Sequence, residues 1–151
     1  MSASARLKEL GVELPVVVQP LGSYVPAVRS GNLVYTSGQL PVRDGKLVQS
    51  GKVGADVTPE QGNQLARISA LNALAAIDAL VGIDSVTRVV KVVGFVASAA
   101  GFNAQPGVVN GASDLLAGVF GDAGVHARSA VGVAELPLDA QVEVELVVEV
   151  D

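Results

Sequence analysis

The sequence predicts an α+β fold: a mixed β-sheet carrying two helices on one face. Three observations predict it. First, Val142–Val150 alternates at strand period. Val142, Val144, Leu146, Val148 and Val150 point one way; Glu143, Glu145, Val147 and Glu149 point the other. Second, a capped apolar helix opens at Thr58. Third, the elements run as several strands, helix, strand, helix, two strands, the order of a sheet with helices layered on it. At 151 residues the chain is expected to form one domain over residues 1–151.

Taken in order, residues 1–13 form a polar lead-in, either mobile or packed as a short helix. Leu14–Gln19 is a β-branched run among prolines and reads as an edge strand. Val25–Arg29 and Leu33–Ser37 read as two short strands joined by Ser30-Gly31-Asn32. Arg43-Asp44-Gly45-Lys46 is a second turn, and Gln49–Asp56, with two glycines, is a loop.

Thr58-Pro59-Glu60-Gln61 is a helix start. Thr58 caps, Pro59 suits the first turn and Gln61 stands at the capping-box position. The helix is expected to reach Val81 and stop at Gly82. Leu65, Ile68, Leu71, Leu74, Ile77 and Leu80 recur every third residue. That row slips by ~60° per step, so the helix is not one-sided. Its alanines allow close packing on more than one neighbour.

Thr87–Ser98 is an apolar strand buried on both faces. Pro106–Phe120 is the second helix, with a stripe through Val108, Ala112, Leu115 and Val119. Gly121 ends it. Ser129–Ala134 is a strand, and Leu136-Pro137-Leu138-Asp139 breaks the chain before the last one.

Composition narrows the chemistry. There is no cysteine, so thiolate nucleophiles, disulfides and zinc ribbons are excluded; His126 is the sole histidine, which excludes a multi-histidine metal site. Net charge is −5 and aromatics are 3%, a poor match to nucleic acid. Val92–Phe102, the longest nearly unbroken apolar stretch, falls short of the ~20 residues of a membrane helix. No membrane association is expected, and a cytoplasmic location is. No phosphate loop or dinucleotide fingerprint is present, and no cofactor is expected. Charged residues are only 17%, which suits a surface hidden in an oligomer.

Few residues are left to carry chemistry. His126 reads as a surface or hydrogen-bonding side chain. Arg128 opens an otherwise small and apolar strand, so its charge must reach solvent or meet an anion. A planar guanidinium can hold a carboxylate through two parallel hydrogen bonds; a structural ion pair is the competing reading. Glu143 is one of three carboxylates on the outer face of the last strand, a pattern a solvated face also explains. Gly38, where a strand ends, allows close approach of backbone to a ligand. Tyr24, beside a turn, reads as a packing residue.

Four segments together resemble the RidA/YjgF family of reactive-intermediate deaminases, known in older usage as endoribonuclease L-PSP. They are Gly22-Ser23-Tyr24; Tyr35-Thr36-Ser37-Gly38-Gln39-Leu40-Pro41; Arg88 to Val96; and Ala127-Arg128-Ser129-Ala130 through Leu136-Pro137 to Val142-Glu143-Val144-Glu145. The resemblance covers Leu21 to Val150. It is greatest to a longer bacterial branch carrying Asn110-Gly111-Ala112-Ser113-Asp114-Leu115-Leu116.

The resemblance implies a chorismate-mutase-like fold, a homotrimer with sites between subunits, and hydrolysis of small 2-imino or enamine acids such as 2-aminoacrylate to 2-keto acids and ammonia. It implies that Arg128 holds the substrate carboxylate, that Glu143 positions the attacking water and that Tyr24 lies near the substrate. Ser37, Gly38, Asn110 and Ala130 would line the pocket. A non-catalytic carboxylate-binding or regulatory trimer is the alternative, with a ribonuclease behind it. The chain departs from the family pattern in several places. Ala130 stands where many active members have cysteine, and Ser23 replaces the usual proline. The Gln49–Asp56 loop and the lead-in are longer, and Asn110 lies farther from Phe102 than the family spacing.

Overall fold

The computed structural model describes residues 1–151. The elements are α1 (Ala3–Glu9), β1 (Ala27–Ser30), β2 (Leu33–Thr36), β3 (Val42–Arg43), β4 (Lys46–Leu47), α2 (Pro59–Val81), β5 (Val86–Ala97), α3 (Gln105–Phe120), β6 (Ala127–Val133) and β7 (Val142–Val150). Five strands form one sheet in the order β1-β2-β7-β5-β6. Every neighbouring pair is antiparallel except β5 and β6, which are parallel and joined through α3, so the sheet is mixed.

β7 has the alternation its sequence dictates. Val142, Val144, Leu146, Val148 and Val150 are buried, and Glu143, Glu145, Val147 and Glu149 between them face the other way. α2 begins as expected. The Thr58 amide donates to Gln61 Oε1 at 2.9 Å, and the Gln61 amide donates back to Thr58 Oγ1 at 3.1 Å. The turn at residues 43–46 closes β3 onto β4, with Asp44 and Gly45 both at positive φ, as a two-residue hairpin requires.

α2 and α3 lie side by side on one face of the sheet. Leu74, Ile77, Leu115 and Leu116 of these helices meet Val92, Leu146 and Val148 of the sheet in a single core. The helices approach so closely that a Cβ at Gly111 would collide with the backbone oxygen of Asn63. Small residues on α2 (Ala66, Ala70, Ala73) are fully buried here, which explains how a helix without a clean apolar stripe packs on two neighbours. By length and composition α2 resembles a membrane span, contrary to the estimate from Val92–Phe102. In the fold 56% of its most apolar 18-residue window is buried within the protein.

Three expectations are corrected. β5 is not buried on both faces: Val89, Val92, Gly94 and Val96 are buried on the helix side, while Val93 and Phe95 on the other side are only partly covered. A third helix, α1, joins the two that were expected. It buries Ala3 and Leu7, and Ser4 anchors it by donating its amide and hydroxyl to Asp84 at 2.8 and 2.6 Å. Leu14–Gln19 is not an edge strand. It has no ladder partner and runs as an irregular strap, because prolines at 15 and 20 remove the donors a ladder needs.

The opposite face of the sheet carries no helix. Val28 pairs with Tyr35, and Tyr35 with Val147, across this face. Val28, Tyr35 and Val131 are 50%, 43% and 45% exposed there. Exposed apolar side chains on an uncovered sheet face, here beside the Glu143, Glu145 and Glu149 carboxylates of β7, mark a surface suited to association.

Candidate functional site

The candidate residues fall into two groups. Arg128 belongs to β6, opposite Val92 of β5, which in turn faces Leu146 of β7. Both of those residues are in the core, so Arg128 leaves the sheet on the helix face. There it meets α3 from its first turn to its middle. Arg128 Nη1 donates to Asn110 Oδ1 at 2.7 Å and to Ser113 Oγ at 3.2 Å, and Nη2 donates to the Pro106 carbonyl at 3.3 Å. All three acceptors are neutral. The structure's ion pairs, Arg6–Glu9 and Lys52–Glu135, do not include Arg128, so the structural ion-pair reading fails.

Ala130 projects from the same face of β6. It lies opposite Gly94 and is packed partly against the core. Arg128, Asn110 and Ala130 thus form one cluster. Ser113 belongs to it and was not anticipated. Its spacing of three residues from Asn110, which places both on one side of a helix, was the available signal.

Glu143 belongs to the second group. It pairs with Phe95 on the face away from the helices. With Gly38 and Tyr24 it lines a cleft of about 1100 Å³, which is also lined by residues of the 11–26 segment that contains the strap and reaches Ile68, Leu71 and Asn72 of α2. Gly38 is pressed against the Glu143 side chain: a Cβ there would lie 2.7 Å from both Cδ and Oε1. Tyr24 is half exposed, and its hydroxyl accepts from the Leu21 amide at 3.2 Å. Ser37 stands just outside the cleft. Its hydroxyl donates to the Val25 carbonyl at 2.6 Å, so it holds the strap to the end of β2.

Burial pushes the Glu143 carboxyl above its ordinary value, and the nearby charge of Glu145 adds to the effect. The alternation alone did not reveal this environment of Glu143.

A family model described as YjgF/chorismate mutase-like, with an endoribonuclease label attached, matches residues 4–150. The chain belongs to the YjgF/RidA family. Among YjgF/RidA relatives, Protein TCP17 of Trypanosoma cruzi is 45% identical over 98% of this chain and 94% of its own. A 2-iminobutanoate/2-iminopropanoate deaminase of Dermatophagoides farinae is 32% identical over 93% of this chain and 95% of its own. The crystal structure of Atu1372 from Agrobacterium tumefaciens, a protein of unknown function, superposes with a TM-score of 0.91. Its identity is 46%, over 99% of this chain and 92% of that one. The mixed sheet with its helices on one face is thus the YjgF/RidA fold, with a third helix added at the start.

Proposed function

We propose that this protein hydrolyses small 2-imino acids to 2-keto acids and ammonia, at sites built between copies of the chain in a homotrimer. The observation that carries the reading is Arg128, a guanidinium fixed by three neutral acceptors with no anion of its own. Such a group suits a carboxylate ligand. The deaminase name of a relative over most of its length supports the same substrate class.

The chemistry needs little beyond positioning. The carbon of a protonated imine is already electrophilic. Arg128 holds the substrate carboxylate and so fixes that carbon. Glu143, deprotonated, accepts a proton from a water as its oxygen bonds to the imine carbon. The resulting carbinolamine takes that proton on nitrogen, the C–N bond breaks to release ammonia, and the hydroxyl becomes the carbonyl of the 2-keto acid as its proton passes back to Glu143. One water is consumed and no electrons are transferred.

Arg128 and Glu143 leave opposite faces of the sheet, so a single copy does not bring them together. In the proposed trimer, copies associate through the uncovered face, where Val28, Tyr35 and Val131 are exposed, and each site takes Glu143 and Tyr24 from one copy and Arg128 and Asn110 from the next.

The test is to generate 2-iminobutanoate enzymatically and follow its decay. Acceleration over buffer that disappears in Arg128→Ala supports the reading; no acceleration by the wild type overturns it. Ala130, standing in the Arg128 cluster in place of the family cysteine, favours a second reading as a non-catalytic sensor. Calorimetric binding of 2-oxobutanoate without turnover would select that one. The net charge of −5 argues against RNA as substrate.

A further inference from the structure

The most developed polar network outside the cleft runs through His126 and Ser113 to Arg128. His126 lies just before β6, and Ser113 lies in the middle of α3. His126 Nδ1 is 2.6 Å from the Gly124 carbonyl. A carbonyl only accepts, so Nδ1 carries the proton. In the neutral ring the other nitrogen, Nε2, then presents a lone pair, and it sits 2.9 Å from Ser113 Oγ. The Ser113 hydroxyl donates to the neutral ring there. That leaves the Ser113 oxygen as an acceptor, and Arg128 Nη1 donates to it at 3.2 Å.

Each bond fixes the direction of the next. The relay runs from the Gly124 carbonyl, through one tautomer of His126, to a serine turned so that it can only accept from the arginine. Asn110 takes the other hydrogen of Nη1, and the Pro106 carbonyl takes one from Nη2. A guanidinium has five N–H donors. The Nε hydrogen and one Nη2 hydrogen remain, on neighbouring nitrogens spaced to meet the two oxygens of a carboxylate.

We infer that Ser113 and His126 are positioning residues for carboxylate recognition: they lock Arg128 so that the unused edge of its fork faces the ligand. The inference rests on the proposed role of Arg128 as the carboxylate holder. Neither residue touches the substrate. An arginine freed from this relay keeps its charge but loses its orientation, so it binds less tightly while the chemistry of a bound molecule is unchanged.

The experiment measures the accelerated decay of 2-iminobutanoate, with calorimetric binding of 2-oxobutanoate alongside, for the wild type, Ser113→Ala, Ser113→Thr and His126→Phe. For Ser113→Ala and His126→Phe we expect KM and the 2-oxobutanoate Kd to rise about tenfold, with kcat within about twofold of wild type. Ser113→Thr keeps the hydroxyl and should restore most of the affinity. A purely structural role would not produce that KM-only effect with rescue by threonine. If the wild type turns over and binds normally but neither Ser113→Ala nor His126→Phe weakens binding, the inference fails and the function stands. It fails equally if kcat collapses while KM holds. If the wild type neither accelerates decay nor binds the keto acid, the proposed function itself fails.

Discussion

Gly38 and Glu143 share one volume: a Cβ at residue 38 would lie 2.7 Å from the carboxyl carbon of residue 143. Gly38 is not among the glycines held at positive φ, so its backbone conformation does not require glycine. The carboxylate does. Gly38→Ala must push that carboxyl aside. The displaced group is the end of a flexible side chain, so stability should fall by less than about 1 kcal/mol. Misplacing a reacting group by ~1 Å can cost ~100-fold in rate. We expect imine hydrolysis to fall at least tenfold while the thermal midpoint barely moves, as steady-state assays and calorimetry would show.

Glu143 also predicts a pH dependence. Burial and the Glu145 charge raise its folded pKa above the ordinary 4.5. A raised carboxyl favours folding most when protonated, below the unfolded pKa; that contribution is lost as pH rises through the folded value. Glu143→Gln removes the cost of a half-buried charge, so it should raise the thermal midpoint at pH 7 and give no gain at pH 4. Activity should instead require the deprotonated form and rise along an acidic limb. Glu145→Gln should move that limb to lower pH, which a pH–rate profile would reveal.

Asp84 carries the opposite sign. The Ser4 hydroxyl, then the Ser4 amide, hold its carboxyl below the ordinary 3.8. Its contribution is present above the unfolded pKa and is lost as pH falls through the folded value. Asp84 is highly exposed, so Asp84→Asn should loosen α1 with only a small loss of midpoint at pH 7. The loss should shrink toward pH 3, and hydrogen exchange at residues 3–9 would locate it.

The placement of Arg128 and Glu143 on opposite faces predicts complementation. Arg128→Ala and Glu143→Gln should each be inactive alone. Mixed, unfolded and refolded together, they should regain activity at roughly a quarter of the interfaces, where an intact arginine meets an intact glutamate. If the mixture stays silent while refolded wild type recovers, both residues do not serve one site across copies.

The helix contact gives a stability prediction. Gly111 meets the backbone of Asn63, which cannot move aside as a side-chain tip can. Gly111→Ala should cost about 1–3 kcal/mol or more in denaturant unfolding, the usual range for overpacking.

The elements governed by local chemistry were legible from the residues. Thr58 and Gln61 announce a capping box, Asp44-Gly45 a tight turn, and the Val142–Val150 alternation a half-covered strand. Leu14–Gln19 misled because β-branched residues favour strands only where a partner edge exists, and its prolines forbid one. The site was legible as a set of residues but not as an arrangement. Arg128 takes its face from the register of β6 on β5, a pairing of residues 36 apart in sequence (Val92 with Arg128) that no local pattern encodes. Ser113 was hidden for a similar reason, since only the docking of α3 over β6 brings it to the guanidinium.

The split between the two faces has a practical corollary. Under the proposed arrangement an isolated, correctly folded copy holds only halves of sites. Catalytic output per milligram would then obey mass action, fading on dilution and returning on concentration, whereas a self-contained active site would be indifferent to both.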